Sequence, residues 1–134
     1  MTITEQKAAQ RKAGIAARRA LSDTQRTHSN AALCARIMAL DCFKKAENIL
    51  LYAAFGGEAD LSALAVEAAR QGKTLAYPVC GEGFSLTAAV PGPDGWEVGA
   101  YGIRTPILSR SEIIRPDQLD LVLVPCTAFD TACR

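Results

Sequence analysis

The sequence contains a single histidine, His28, and five cysteines, Cys34, Cys42, Cys80, Cys126 and Cys133, with no CxxC pair among them. Zinc centres need several such ligands at short spacings, so the pattern argues against one. An odd, unpatterned cysteine count reads as buried, reduced thiols of a cytosolic protein rather than a disulfide framework. There is no GxxxxGK[ST] and no GxGxxG after a strand, so neither a P-loop nor a dinucleotide-binding fingerprint is present. No apolar run is long enough to span a bilayer. The net charge of +1 gives no strong field for nucleic acid or membrane.

What is present is the balance of a soluble globular protein, 49% hydrophobic and 22% charged over 134 residues. This length suits a single domain, 1–134, with a real core. The start, "MTITEQKAAQRKAGIAARRALS", is basic and alanine-rich, a composition shared with mitochondrial presequences. The early Glu5 and the scarcity of serine speak for a cytoplasmic chain instead, and no apolar segment of a secretory signal is found.

Residues 4–20 read as one helix. Ser22 with Gln25 forms a capping box that starts a second, through about Leu40. "NILLYAA" (48–54) reads as a buried strand, and "LSALAVEAARQGK" as a helix stopped by Gly72. "TLAYPV" and "FSLTAAV" are two further strands. "PGPDG" is a turn or loop, and "WEVGAYGIRTP" continues as irregular or edge structure. "LDLVLVP" (119–125) is the most apolar run and predicts a central strand buried on both faces. This alternation predicts an α/β domain with a mostly parallel sheet flanked by helices.

Two features carry chemistry. On the first helix, Lys7, Arg11 and Arg18 share one face and Lys12 and Arg19 lie beside it, while Ala9, Ala13, Ala16 and Ala20 form an opposite face small enough to pack closely. This is either a solvated face or a polyanion site, since Arg forks and Lys point charges suit phosphate oxygens. The second feature is "LYAAFGGEAD" (51–60), a strand running into a glycine turn with a carboxylate, Glu58, on its lip. Asp60 is explained as an N-cap. Glu58 is either a solvated turn residue or an acceptor for ligand donors such as those on a pterin or purine edge. Phe55, Tyr77, Trp96 and Tyr101 are core residues or flat walls for such a ring.

Together these pieces resemble the 5-formyltetrahydrofolate cyclo-ligase family, also called methenyltetrahydrofolate synthetases. "KAAQR" followed by "RRALS" is similar to its K-x-x-L-R … R-x-x-L-S signature, and "ILLYAAFGGEAD" to its strand-turn-acid segment. "GKTLAYPV" resembles its second strand, "VGAYGIRTP" its F-G-I-x-E-P loop, and "DLVLVPCTAFD" its D-L-[IV]-[IL]-V-P-G-x-A-F-D strand. No one of these motifs is very specific, but five occur in the right order.

The resemblance implies a NagB/RpiA/CoA-transferase-like fold. It also implies conversion of 5-formyltetrahydrofolate to 5,10-methenyltetrahydrofolate, using ATP and Mg2+ and releasing ADP and phosphate. Position by position, Lys7, Ala8, Ala9, Gln10 and Arg11 match the family's ATP-binding segment, and Ala53 and Glu58 its folate-contacting positions. No catalytic residue or metal ligand is assigned by it. The expected partner is a reduced folate, with neither nucleic acid nor membrane, and the expected state a monomer.

The chain departs from the pattern at Gln10 (usually Leu), Thr105 (usually Glu) and Cys126 (usually Gly). The family pattern also continues after A-F-D into a glycine-rich phosphate- and magnesium-gripping motif. Its lack here raises the expectation of a C-terminally incomplete domain, and with it the alternative of a non-catalytic remnant that at most binds folate. A sugar-phosphate isomerase of the same fold class has no motif in support.

Overall fold

The structure, a computed structural model, describes residues 1–134. Its first two helices begin at capping boxes. Thr2 Oγ1 accepts from the Glu5 amide at 3.2 Å, while the Thr2 amide donates to Glu5 Oε2 at 2.7 Å, opening α1 (Ile3–Arg19). Ser22 and Gln25 make the same reciprocal pair at 3.1 and 2.9 Å, opening α2 (Asp23–Met38) as the sequence predicts. A five-residue α3 (Asp41–Lys45) leads into β1 (Asn48–Leu50). After a long loop comes α4 (Ser62–Arg70), closed by Gly72 at φ +80°, where the amides of Gly72 and Lys73 return to the carbonyls of Ala69 and Ala68. β2 (Thr74–Cys80) and β3 (Leu86–Pro91) follow, then β4 (Trp96–Val98), β5 (Arg104–Pro106), β6 (Ser111–Ile114) and β7 (Leu121–Val122).

Five strands form one sheet in the order β6-β3-β2-β1-β7. β1 pairs parallel with β2 and β7, and β3 pairs antiparallel with β2 and β6. β7, β1, β2 and β6 therefore run one way and β3 alone runs against them. The mostly parallel α/β sheet expected from the sequence is thus present. β4 and β5 form a separate antiparallel ribbon.

The core lies where α2, α3 and α4 meet β1. Cys34, Phe43, Ala46, Ile49, Leu51, Leu61, Leu64 and Ala68 are all buried there. Each large apolar side chain so buried contributes about 1.5–3 kcal/mol. Lys73 closes the rim: its ammonium donates to Ala46 O at 2.6 Å and Lys44 O at 3.1 Å, 5.1 Å from the Phe43 ring centre.

Three expectations are corrected. Of the five cysteines read as buried thiols only Cys34 is buried, while Cys42, Cys80, Cys126 and Cys133 are exposed. The run 119–125 is not a central strand buried on both faces. Only Leu121 and Val122 pair, with Ile49 and Leu50, and β7 is an edge of the sheet with Val122 and Val124 47% and 74% exposed. What holds this edge is polar: Asp120 Oδ2 accepts the Glu47 and Asn48 amides, each at 2.9 Å. These bonds hold the Asp120 carboxyl below its usual pKa. Nor does α1 pack through its alanine face. Ala9, Ala13, Ala16 and Ala20 are exposed, and the half-buried positions are Gly14, Ile15 and Arg18.

Candidate functional site

In sheets of this kind ligands gather beyond the carboxyl ends of parallel strands. The loop leaving β1 occupies that position and is well fixed. Leu51 is buried, and Tyr52 donates its hydroxyl to Ala59 O at 2.8 Å, tying the loop's start to its end. Gly56 and Gly57 take φ of +61° and +80°, and the Glu58 amide closes the turn on Phe55 O at 3.2 Å. Both signs of φ cost glycine little, which is why the pair sits here. Asp60 accepts from the Ser62 amide at 2.9 Å and from the Ser62 hydroxyl in a turn ahead of α4, but the N-cap is Leu61, so the capping role expected of Asp60 is not the one it takes. Its own amide donates to Asn30 Oδ1 of α2 at 3.1 Å.

This loop forms one wall of a pocket of about 390 Å³. Ala53 and Phe55 line it from the loop, Tyr77 from β2, and Trp96, Ile103 and Arg104 from the β4–β5 ribbon. Tyr77 and Trp96 meet edge to face at 4.7 Å, and the Arg104 guanidinium lies 4.6 Å from the Trp96 ring centre. Burial pushes the Tyr77 phenol up in pKa, with Arg104 opposing the shift. An aromatic cleft with one cation at its rim suits a flat heteroaromatic ring carrying an anionic extension. Of the four candidate walls, Phe55, Tyr77 and Trp96 belong to it. Tyr101 does not: it is 86% exposed, has φ 60°, and lines a groove on the outer side of the ribbon together with Thr105.

Glu58 does not share the Ala53 pocket. It is half-buried and lines a notch of about 270 Å³ with Arg18, Pro125, Cys126 and Thr127. It also borders an apolar groove of about 400 Å³ that includes Leu33, Ile37, Val124 and Phe129. Tyr52 lines both that groove and the aromatic pocket, and so stands between Ala53 and Glu58. Burial first, and then the Glu58 charge, raise the Tyr52 pKa.

The basic segment lies on a third, larger groove of about 870 Å³ between α1 and residues 127–134. Lys7, Gln10 and Arg11 line it, whereas Ala8 and Ala9 do not. Gly14 lies at its floor, where a β-carbon would collide with the carbonyl oxygen of Thr127. An isolated glycine inside a helical pattern was the available signal of this close approach. Nothing in the sequence marked Arg104 or Thr127. Asp130 is the carboxylate of this groove, but Oδ1 accepts the amides of Ala132 at 2.9 Å and Arg134 at 3.0 Å, and Oδ2 accepts Arg134 Nε at 3.0 Å. No three His, Cys, Asp or Glu side chains converge on a point that could hold a metal ion. No helix is long and apolar enough to cross a membrane.

Comparison with known proteins bears on the family and the fold. No curated protein sequence matches the chain. The structure is similar to the NMR structure of Aquifex aeolicus 5,10-methenyltetrahydrofolate synthetase, with a TM-score of 0.79 and 32% identity over 92% of this chain and 62% of that one. It is also similar in fold to the 5,10-methenyltetrahydrofolate synthetase of Mycoplasma pneumoniae, with a TM-score of 0.73 and 18% identity over 93% and 66% of the two chains. The chain therefore spans somewhat under two thirds of the length of each solved relative. The sequence model of one family, 5-formyltetrahydrofolate cyclo-ligase, matches residues 3–133, and the chain belongs to that family.

Proposed function

We propose that the chain carries the folate and nucleotide sites of an ATP-dependent 5-formyltetrahydrofolate cyclo-ligase, which forms 5,10-methenyltetrahydrofolate with release of ADP and phosphate. One observation carries this reading: the β1–α4 loop walls an aromatic pocket directly and, through the notch shared by Glu58 and Thr127, reaches a cationic groove of unlike chemistry. Folate supplies a flat ring for the first and ATP supplies phosphates for the second. Family membership and the 32% identical relative support it further.

The chemistry sets the demands. A formyl amide is a poor electrophile. Transfer of the γ-phosphoryl group to its oxygen creates a leaving group, after which the neighbouring folate nitrogen closes the ring and phosphate departs. The protein has to hold two ligands in register and neutralise phosphate charge. Lys7 and Arg11 take the phosphates. Ala53 leaves room for the ring beside Phe55 and Trp96, and Glu58, on the far side of Tyr52, accepts hydrogen bonds from folate donors that reach past that side chain. Magnesium enters with the nucleotide, which normally supplies most of that ion's ligands together with water. Asp130, already bonded to Ala132 and Arg134, makes no cage for it, and no step here depends on it.

Trp96 is the only tryptophan and lines the pocket, so it reports directly. Titration with 5-formyltetrahydrofolate should quench its fluorescence saturably, and Glu58→Gln should weaken that binding with little change in thermal midpoint. Unchanged affinity with a large fall in midpoint would make Glu58 structural. A second reading, folate binding without turnover, is favoured by the absence of an uncommitted carboxylate in the cationic groove. The ATP-dependent absorbance of methenyltetrahydrofolate separates the two: quenching without product selects the second.

A further inference from the structure

Arg18 differs from the other cations of α1. Lys7, Arg11, Lys12 and Arg19 are exposed, whereas Arg18 is half-buried against the glycine turn. A β-carbon on Gly57 would lie 3.4 Å from Arg18 Cγ and 2.8 Å from Arg26 Nη1, so the stem of Arg18 and the guanidinium of Arg26 meet at this one glycine. Neither is ion-paired: the three ion pairs of the structure are Arg70–Glu67, Arg115–Asp117 and Arg134–Asp130. Arg26 makes only long bonds, to the carbonyls of Arg19 at 3.5 Å and Leu21 at 3.4 Å. Two half-buried cations without an ion pair, on side chains that meet at one glycine, are under-solvated and add their positive charge to the same corner. An anion with several oxygens relieves both costs.

The position of the pair identifies the anion. Arg18 lines the notch that also holds Glu58 and Thr127, and Thr127 in turn lines the groove of Lys7 and Arg11. The notch is therefore the passage between the cationic groove and the folate-facing loop. We propose that Arg18, backed by Arg26, receives the γ-phosphoryl group as it passes from nucleotide to folate. This rests on the ATP reading of the Lys7–Arg11 groove. In the step itself, the formyl oxygen forms a bond to the γ-phosphorus. The bond from that phosphorus to the bridging oxygen breaks, and ADP leaves with its electron pair. The charge on the three transferring oxygens faces Arg18 throughout.

The folate tail carboxylate is the competing anion, and calorimetric titration of the 134-residue chain distinguishes them. Wild type should bind ATP more tightly than ADP. Arg18→Ala should abolish that preference, weakening ATP about ten- to a hundredfold and ADP less than about twofold. Arg18→Lys should restore part of it. Unchanged ADP affinity doubles as the control for folding. Equal weakening of ATP and ADP would overturn the proposal, as would an intact ATP preference, or a loss confined to polyglutamyl over monoglutamyl folate. If wild type binds neither nucleotide, the ATP reading fails, and the assignment of Arg18 fails with it.

Discussion

The aromatic pocket and the cationic groove are built on opposite principles. The pocket hangs on the core: its loop wall begins at buried Leu51 and ends at buried Leu61, and Tyr77 sits on the strand beside buried Ala76. The groove between α1 and residues 127–134 has no buried residue on either side. Its geometry rests on the close approach of Gly14 to Thr127 and on the turn that Asp130 ties. The pocket thus rests on the core, while the groove carries the cations Lys7, Arg11 and Arg134 and is lightly held. On the proposed reading, the ring of folate meets a rigid cleft, whereas the phosphates order their own site as they bind.

Four perturbations test this contrast, in descending order of expected effect. Leu64→Ala removes a fully buried side chain beneath the pocket and should destabilise the fold by roughly 2–5 kcal/mol in chemical denaturation. Folate-dependent Trp96 quenching should weaken in parallel. A variant that loses stability but quenches as tightly as wild type would mean that the pocket is independent of the core.

Gly14→Ala comes next. In an isolated helix the added methyl would stabilise by about 1 kcal/mol. Here it collides with the Thr127 carbonyl, so ATP affinity should fall by about tenfold, equivalent to roughly 1.4 kcal/mol. The thermal midpoint should stay within a few degrees of wild type, because no buried residue is disturbed. A raised midpoint with unchanged ATP binding would show that the groove does not depend on this contact.

Arg104→Ala sharpens the pocket side. Arg104 is exposed, so its stacking on Trp96 amounts to about 0.5–1 kcal/mol and folate affinity should fall severalfold at most. The Trp96 emission should change even without ligand. An unaltered spectrum would mean that the stack is absent in solution.

Acid should act more mildly, at the β7 edge. Bonds from the Asn48 and Glu47 amides depress the pKa of Asp120. A depressed carboxyl contributes stability that is complete above its unfolded value, near 3.8, and is lost as the pH falls through the lower folded value. Between about pH 5 and about pH 2 the wild-type midpoint should therefore drop more steeply than that of Asp120→Asn. Parallel curves would mean that the carboxylate carries no such linkage.

The elements with local chemistry were legible in the sequence: the Ser22–Gln25 box, the Gly72 stop, and the strands at 74–80 and 86–91. The run at 119–125 misled because hydrophobicity reports apolar content, not pairing. Val122 and Val124 are as apolar as any core residue, yet they lie on a sheet edge fastened by Asp120. At the site, the helical spacing of Lys7 and Arg11 placed both on one groove. Ala53 and Glu58 are close in sequence but face different cavities, because the Gly56–Gly57 turn lies between them and Tyr52 lines the cavities on both sides. Arg18 and Arg26 converge only through the packing of two helices around a glycine, which no spacing rule encodes.

Tyr101 marks the far end of the pocket's frame. It holds φ at 60° in the turn joining β4 to β5, a region that costs an L-residue roughly 1–2 kcal/mol. That energy biases the ribbon's own opening equilibrium, raising its frayed population by about five- to thirtyfold over a glycine at the same place. Amide exchange at Trp96 to Val98 therefore reports a hinge tension set outside the pocket, and Tyr101→Gly should slow it. The residence time of whatever lies against Trp96 is then governed in part by how often this ribbon lifts.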